Sequence, residues 1–371
     1  MHFNYYMVWF AVIVIGSFVI AFFARSMPMR RLNPLGEPLP NFLGFILPAA
    51  AFGIFSGLRN NMGDTFFYVY SYNLMDVDNM EPVPFSFTGG IMYPIIQYWC
   101  RLRSDKPYEL IMITALIACI PIVYVIYKYS CPYELGIALY VLTGYYTFSM
   151  NGIRQYAAAG IMVLGTKYLL SDKKFDFLKY MIFVIGAWLF HASALMMIPI
   201  YFVVRRKAWT AVTSVFLVGT VFVTAIFNAI LPTFLDILED TTFSRYAENG
   251  WFTEGTEQGS NIIRVLVLIV PLVFAFLERE YLRMQYGRKW DILVNLSIVN
   301  LAFYILSLYN WIFARFAIYT SIYVVIMMTY VITRGENRQK TQWLYPLSIV
   351  MYIFFFYNVQ YSIIGYQSDL F

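Results

Sequence analysis

Apolar stretches of about 18–25 residues recur from end to end of this 371-residue chain. Each is long enough to cross the ~30 Å hydrocarbon layer of a bilayer as a helix. Backbone groups in lipid must be satisfied within the protein, so the spanning structures open to a chain are helices and closed barrels. The runs here are continuous, not alternating, which makes this an all-α, polytopic integral membrane protein. No 100-residue stretch lacks an apolar span, so no separate soluble domain fits, and 1–371 is expected to form a single transmembrane domain. With 60% hydrophobic and 13% charged residues, the net charge of +5 reflects basic loops beside a membrane and needs no nucleic-acid partner.

Twelve helices are expected, near 5–24, 41–58, 108–127, 135–150, 153–170, 178–190, 192–204, 209–231, 262–277, 292–309, 311–333 and 342–358. The first lacks a basic leader and a small-residue cleavage site and reads as a retained helix. The spans 178–190 and 192–204 are short and abut at Phe190-His191-Ala192-Ser193, either as a tight outer turn or as one broken helix. The segment 85–103 is apolar and aromatic but interrupted by Gly89-Gly90 and Pro94, and is expected to lie in the interface plane or re-enter. Cys100, Cys119 and Cys131 have neither metal-ligand spacing nor a disulfide pattern.

Loop charge sets the orientation. With the amino terminus outside, the inner segments 25–40, 128–134, 167–179, 205–208, 278–291 and 334–341 hold 18 basic and 8 acidic residues, against 8 basic and 13 acidic outside. Basic residues concentrate on the cytoplasmic side, and an even number of crossings puts both termini outside. The outer loops 59–107 and 232–261 are long. Their aromatic, acidic and amide side chains (Asp76, Asp78 and Glu81 in one; Glu239, Tyr246 and Trp251 in the other) suit a sugar ligand or a solvated loop.

The candidate site residues sit at predicted outer helix ends: Arg59, Arg154, Arg264, Arg315 and His191, the one histidine away from the terminus. Charge at a membrane boundary is costly and marks function, and arginines beside a single base suit an anionic, phosphate-bearing substrate. Asn151-Gly152 is a turn signal that puts Arg154 and Gln155 in the first turn of a helix, where free N–H groups and a guanidinium together make an anion site. Ala157, Ala158, Ala159 and Gly160 then permit close approach of a helix or of a ligand. Arg59 precedes Gly63-Asp64-Thr65 and either pairs with Asp64 or binds phosphate with Asp64 orienting it. Arg315 lies about one turn into its helix, with Tyr319 a turn further on, and Arg264 is placed similarly. His191 has the chemistry of a general base that takes a hydroxyl proton. No HExxH, GxSxG, Walker or dinucleotide motif is present, and neither a catalytic metal nor a cofactor is expected.

The stretches GLRNNMGDTFFYVYSYN (57–73), FSMNGIRQYAAAGIMVLGTKYLL (148–170), FHASALMMIPIYF (190–202) and RFAIYTSIYVVIMM (315–328) resemble the EpsG family of exopolysaccharide gene clusters, close to Wzy-type polymerases of capsule or O-antigen repeat units. Where the family pattern looks like Gly-x-Asp, this chain has Gly63-Asp64. The resemblance implies a Wzy-like, GT-C-like helical bundle in the bacterial inner membrane. It also implies a glycosyltransferase that polymerises undecaprenyl-diphosphate-linked oligosaccharide on the outer face, with a chain-length regulator as a partner. In that reading Arg154 and His191 are catalytic. Arg59, Asp64, Asn151, Gln155, Arg264, Arg315 and Tyr319 bind the diphosphate or glycan, and transfer is inverting and metal-independent. A lipid-linked glycan flippase, a membrane O-acyltransferase and a non-catalytic scaffold are the alternatives. A flippase predicts midplane charge and related halves, and neither is visible in the sequence.

Overall fold

The computed structural model describes residues 5–76, 89–227, 229, 231, 259–336, 342–360 and 366–368. Most of the expected outer loop 232–261 lies outside them, with Glu239, Tyr246 and Trp251, as do Asp78, Glu81 and 85–88. Among the described residues the chain is helical, its only strand-like pairings being two isolated bridges, Leu32 with Pro38 and Asn61 with Gln367. It divides into two compact units. The first comprises 1–198 and 328–371, the second 199–327.

The first unit is built from α1 (Tyr5–Ser26), α2 (Leu43–Gly57), α3 (Thr65–Asn73), α4 (Met92–Arg101), α5 (Tyr108–Tyr129), α6 (Tyr133–Leu142), α7 (Tyr145–Phe148), α8 (Ile153–Leu164), α9 (Thr166–Leu169) and α10 (Asp176–Trp188). A 3₁₀ turn, Ala192–Met196, leads into α11 (Met197–Val204). Small residues set how closely these helices approach. A Cβ at Gly160 would overlap the Ile117 carbonyl, so α8 lies directly against α5, and one at Gly53 would sit 2.8 Å from Leu116. The Ala157–Gly160 run therefore serves helix packing, one of the two uses its composition allows. On α1 Phe10, Ser17, Ala21 and Ala24 are buried, a stripe at helical spacing on the side packed against α2 and α6, while Val8, Val12, Ile15, Val19 and Phe23 are exposed, as for a helix at a lipid boundary.

The second unit contains α12 (Ala211–Ala225), α13 (Ile262–Leu277), α14 (Arg279–Tyr286), α15 (Arg288–Leu306) and α16 (Ile312–Ala317). α15 is its centre, packed on α12, α13 and α16. The chain continues through α17 (Ser321–Thr333) and α18 (Leu344–Phe355).

Among the described residues, three helices are long and apolar enough to cross a membrane alone: α1, α5 and α15. The shorter apolar helices, such as α2, α6 and α8, are pieces of the longer runs expected from sequence, so helix length does not establish a count of twelve. The breaks have local causes. Gly144, at φ +84°, separates α6 from α7 within the run 135–150, and α8 stops at Gly165, against Tyr180 and Phe183. The run 311–333 breaks after Ala317, whose freed carbonyl accepts from Asn300 Nδ2 (3.0 Å), Thr320 Oγ1 (3.1 Å) and Ser321 Oγ (2.8 Å). Arg315 consequently sits on the short α16 and not one turn into a long helix. The segment 178–204 is not one helix either: α10 ends at Trp188, and His191 is extended (φ −156°) before the 3₁₀ turn.

Within each unit, loops meet one another across the helix ends. In the first, Glu37 pairs with Arg334 (3.0 Å) and Arg25 with Glu134 (3.1 Å), joining predicted inner segments. Asp64 meets Asn151, and Gly90 meets Trp188, joining predicted outer ones. In the second, the segments 205–208 and 278–291, both expected inside, meet where Ala208 N donates to Asp291 (3.0 Å).

Candidate functional site

One end of the first unit is organised by the start of α8. Gly152 takes φ +59° and opens the helix, so Arg154 and Gln155 occupy its first turn, as the Asn-Gly signal predicts. Asn151 Oδ1 accepts from Asp64 N at 2.9 Å, and a Cβ on Gly63 would lie 2.9 Å from the same oxygen. The Gly63-Asp64 turn is thus held directly on Asn151. Asp64 then begins α3, with its carboxylate making no cap.

Arg59 is almost fully buried, with 1% of its surface exposed. Its Nε donates to Thr65 Oγ1 (3.0 Å) and its Nη1 to Ser56 Oγ (3.0 Å) and the Ser56 carbonyl, while Nη2 has no partner among the described residues. Burial lowers its pKa to about 10, which leaves a cation at neutral pH. Arg59 therefore spends two of its three nitrogens tying the 58–65 loop to the end of α2.

Arg154 is placed differently. Its guanidinium stands 5.5 Å from the Tyr93 ring centre and makes no ion pair or hydrogen bond among the described residues. The 89–92 segment folds against the α10 end: Gly90 N donates to the Trp188 carbonyl (3.0 Å) and Met92 N to that of Leu189 (2.8 Å). Gly89 and Gly90 have φ +82° and +81°. A Cβ on Gly90 would come within 2.7 Å of Arg154 Nη2 and 3.6 Å of the Phe190 carbonyl, so the glycine makes room for the guanidinium beside the residue that precedes His191. The following helix, α4, has ten residues, about 15 Å, too short to cross. Its Tyr93 is buried under Arg154, with a hydroxyl that has no partner among the described residues.

Gln155 is buried and donates through Nε2 to Ser193 Oγ (3.2 Å), which lies 2.7 Å from His191 Nδ1. The Ser193 backbone N–H also reaches Nδ1, at 3.3 Å. Both contacts engage Nδ1. Accepting the Ser193 N–H fits the tautomer with the proton on Nε2; with the proton on Nδ1 instead, Ser193 Oγ would accept it and Nε2 would be basic.

The sequence-predicted residues Arg59, Asp64, Asn151, Arg154, Gln155 and His191 thus fall into one contiguous set in the first unit. Of these, Asn151, Gln155 and Arg59 are turned to protein neighbours, whereas Arg154 keeps its charge available. Sequence reading missed Gly90, Tyr93 and Ser193 as members. The Gly89-Gly90 pair was visible only as a helix interruption, and nothing in the sequence said what it would pack against. Nearby on α4, Trp99 lies 4.7 Å beneath Arg103 and lines a cavity of about 440 Å³ with Tyr108 and Glu109.

Arg264, Arg315 and Tyr319 belong to the second unit. Asn261 caps α13 by accepting from Ile263 N (2.8 Å), and Ser260 N donates to the Ser307 carbonyl (2.7 Å), which holds the start of α13, with Arg264, against the end of α15. Arg315 stacks on Trp311 at 4.8 Å, just beyond that same end. Tyr319 is fully buried at the break between α16 and α17. Among the described residues, no group of three or more His, Cys, Asp or Glu side chains is placed to hold a metal ion.

A family model described as the EpsG family matches residues 42–368. The chain belongs to this family of Wzy-like polysaccharide polymerases. No curated protein and no solved structure matches it.

Proposed function

We propose that this EpsG-family chain polymerises lipid-linked oligosaccharide repeat units at the outer face of the bacterial cytoplasmic membrane, acting on undecaprenyl diphosphate carriers. The observation that carries the reading is the placement of Arg154. It is a guanidinium without a protein counter-ion among the described residues, in the first turn of a helix and beside the Gln155–Ser193–His191 chain. A helix start and a forked cation both favour a diphosphate.

In the proposed reaction an acceptor-sugar hydroxyl attacks the anomeric carbon of the donor. The new C–O bond forms as the bond to the diphosphate oxygen breaks, with inversion, and the electron pair leaves on the lipid diphosphate. Arg154 stabilises that developing charge. The hydroxyl proton passes to His191 Nε2, which requires Nδ1 to exchange its bond from the Ser193 N–H for donation to Ser193 Oγ. Asn151, Asp64 and Arg59 keep the loop around Arg154 in place. Arg264 and Arg315 are proposed as further anion contacts, the twelve-crossing topology as the frame, and a chain-length regulator as a partner.

The test is glycan analysis of cells lacking the gene and complemented with wild type or Arg154→Ala. The expected result is long polymer with wild type and accumulation of single lipid-linked units on the outer face with the variant. Units trapped on the inner face would instead indicate flipping, and full-length polymer lacking an acyl group would indicate acyl transfer.

A further inference from the structure

The second unit carries a site the polymerase reading does not use. Between α12, α13 and α15 runs an apolar cavity of about 690 Å³, lined by Val221, Phe222, Leu272, Phe276, Leu301 and Ile305. Three of these, Val221, Phe222 and Phe276, are also exposed, so the cavity opens at the molecular surface. At one end it reaches Trp209, whose ring meets Phe276 edge to face at 5.2 Å. Trp209 also lines a second cavity, of about 750 Å³, with Lys207, Arg279, Glu280, Arg283 and Asp291. A hydrophobic slot and a charged chamber therefore share one indole.

Two features of Trp209 point to a ligand. Its backbone is left-handed (φ +58°), a conformation a bulky residue rarely adopts and one that concentrates where function needs it. Its Nε1–H is buried with no hydrogen-bond partner among the described residues, and a buried donor left unpaired is costly. The chamber's charges define the complement. Asp291 is spent on Arg283 (2.8 Å) and on Ala208 N (3.0 Å). Glu280 is 89% exposed and lies 3.8 Å from Arg279, too far and too solvated to neutralise it fully. Arg279 is held over Phe276 at 4.3 Å, at the mouth of the slot, and Lys207 has no ion-pair partner among the described residues. Three cations against two carboxylates leave one net positive charge, which matches a phosphodiester better than a multiply charged diphosphate.

We propose that this is a binding site for one anionic phospholipid of the inner leaflet. Its phosphodiester sits among Lys207, Arg279 and the Trp209 N–H, and one acyl chain lies in the slot between α12 and α13. The site faces the loops 205–208 and 278–291, which are inner by loop charge, and basic pockets between helices on that side suit anionic headgroups.

The test is native mass spectrometry of the full-length protein in detergent, titrated with phosphatidylglycerol, phosphatidylcholine and undecaprenyl diphosphate. Wild type is expected to retain one phosphatidylglycerol in preference to phosphatidylcholine. Each positive charge removed should weaken that binding roughly fivefold, so Lys207→Gln with Arg279→Gln should lose on the order of twentyfold while phosphatidylcholine binding is unchanged. Ala225→Trp, at a further lining position of the slot, fills it and should weaken both lipids. Should the double variant unfold in a thermal melt, the exposed Lys207→Gln alone carries the test. Equal binding of the two phospholipids by wild type, or phosphatidylglycerol binding unchanged in the charge variants, overturns the proposal. So does displacement of phosphatidylglycerol by an equal concentration of undecaprenyl diphosphate, which would make the slot a carrier-lipid site.

Discussion

At the residue scale, the availability of Arg154 rests on what its neighbours lack. Gly90 leaves the space the guanidinium occupies, and its φ of +81° already disfavours a side chain. Gly90→Ala should displace Arg154 and lower polymer synthesis on the order of a hundredfold, the scale of losing one preorganised charge contact. Gly152→Ala is the matched comparison. Its φ is also positive, but no atom lies within 4 Å of a Cβ there, so it should cost only about 1–2 kcal/mol of stability and keep activity. Polymer yield and a thermal melt of both variants check this, and equal activity would show that the space beside Arg154 is immaterial. Ser193→Ala removes the group that Gln155 and His191 share. Turnover of bound unit should fall roughly tenfold, short of the ~10²–10⁴ for removing a general base, with substrate binding near wild type. A binding defect with normal turnover would make the Gln155–Ser193–His191 chain a recognition device. The sequence singled out Arg154 and His191 as candidates through local signals, a turn before a helix and a lone imidazole at a predicted outer end. Tyr93 and Gly90 were illegible because their contacts with Arg154 are distant in sequence, and for Ser193 the illegible contact was that with Gln155, 38 residues away.

At the element scale, the apolar runs were legible and their interruptions only partly so. Helices α1, α2, α5 and α13 fall close to their expected ranges because each is one uninterrupted apolar run. The break at Gly144 is set by its own positive φ, whereas those at Gly165 and after Ala317 also involve tertiary partners. Asn300 Nδ2, for example, takes up the Ala317 carbonyl from another helix, and no period in the sequence encodes that bond. The small-residue run on α8 makes a sharper prediction. Because a Cβ at Gly160 would overlap the Ile117 carbonyl, Gly160→Leu should push α8 off α5 and destabilise the protein by at least the ~1–3 kcal/mol typical of overpacking. It should also cost activity, since Arg154 starts the same helix. Unchanged melting in detergent would mean that α8 and α5 do not pack through this glycine.

At the scale of the whole molecule, Glu37 meets Arg334 and Asp64 meets Asn151, each pair joining segments that loop charge expects on one side. The division into two compact units was not legible, because both share one composition. Sidedness is open to direct test: Cys100, Cys119 and Cys131 are buried and give little background to a membrane-impermeant thiol reagent. Asp105→Cys should label in intact cells and Lys173→Cys only after permeabilisation; the reverse pattern would put Arg154 on the cytoplasmic side. The central claim is that Arg154 acts in the transfer of lipid-linked units, and its most direct measurement is polymerisation of purified lipid-diphosphate repeat units in proteoliposomes. Wild type should release lipid diphosphate and build polymer, while folded Arg154→Ala should bind the units yet polymerise about 10²–10³-fold more slowly. Polymer formation by Arg154→Ala at the wild-type rate would contradict the account.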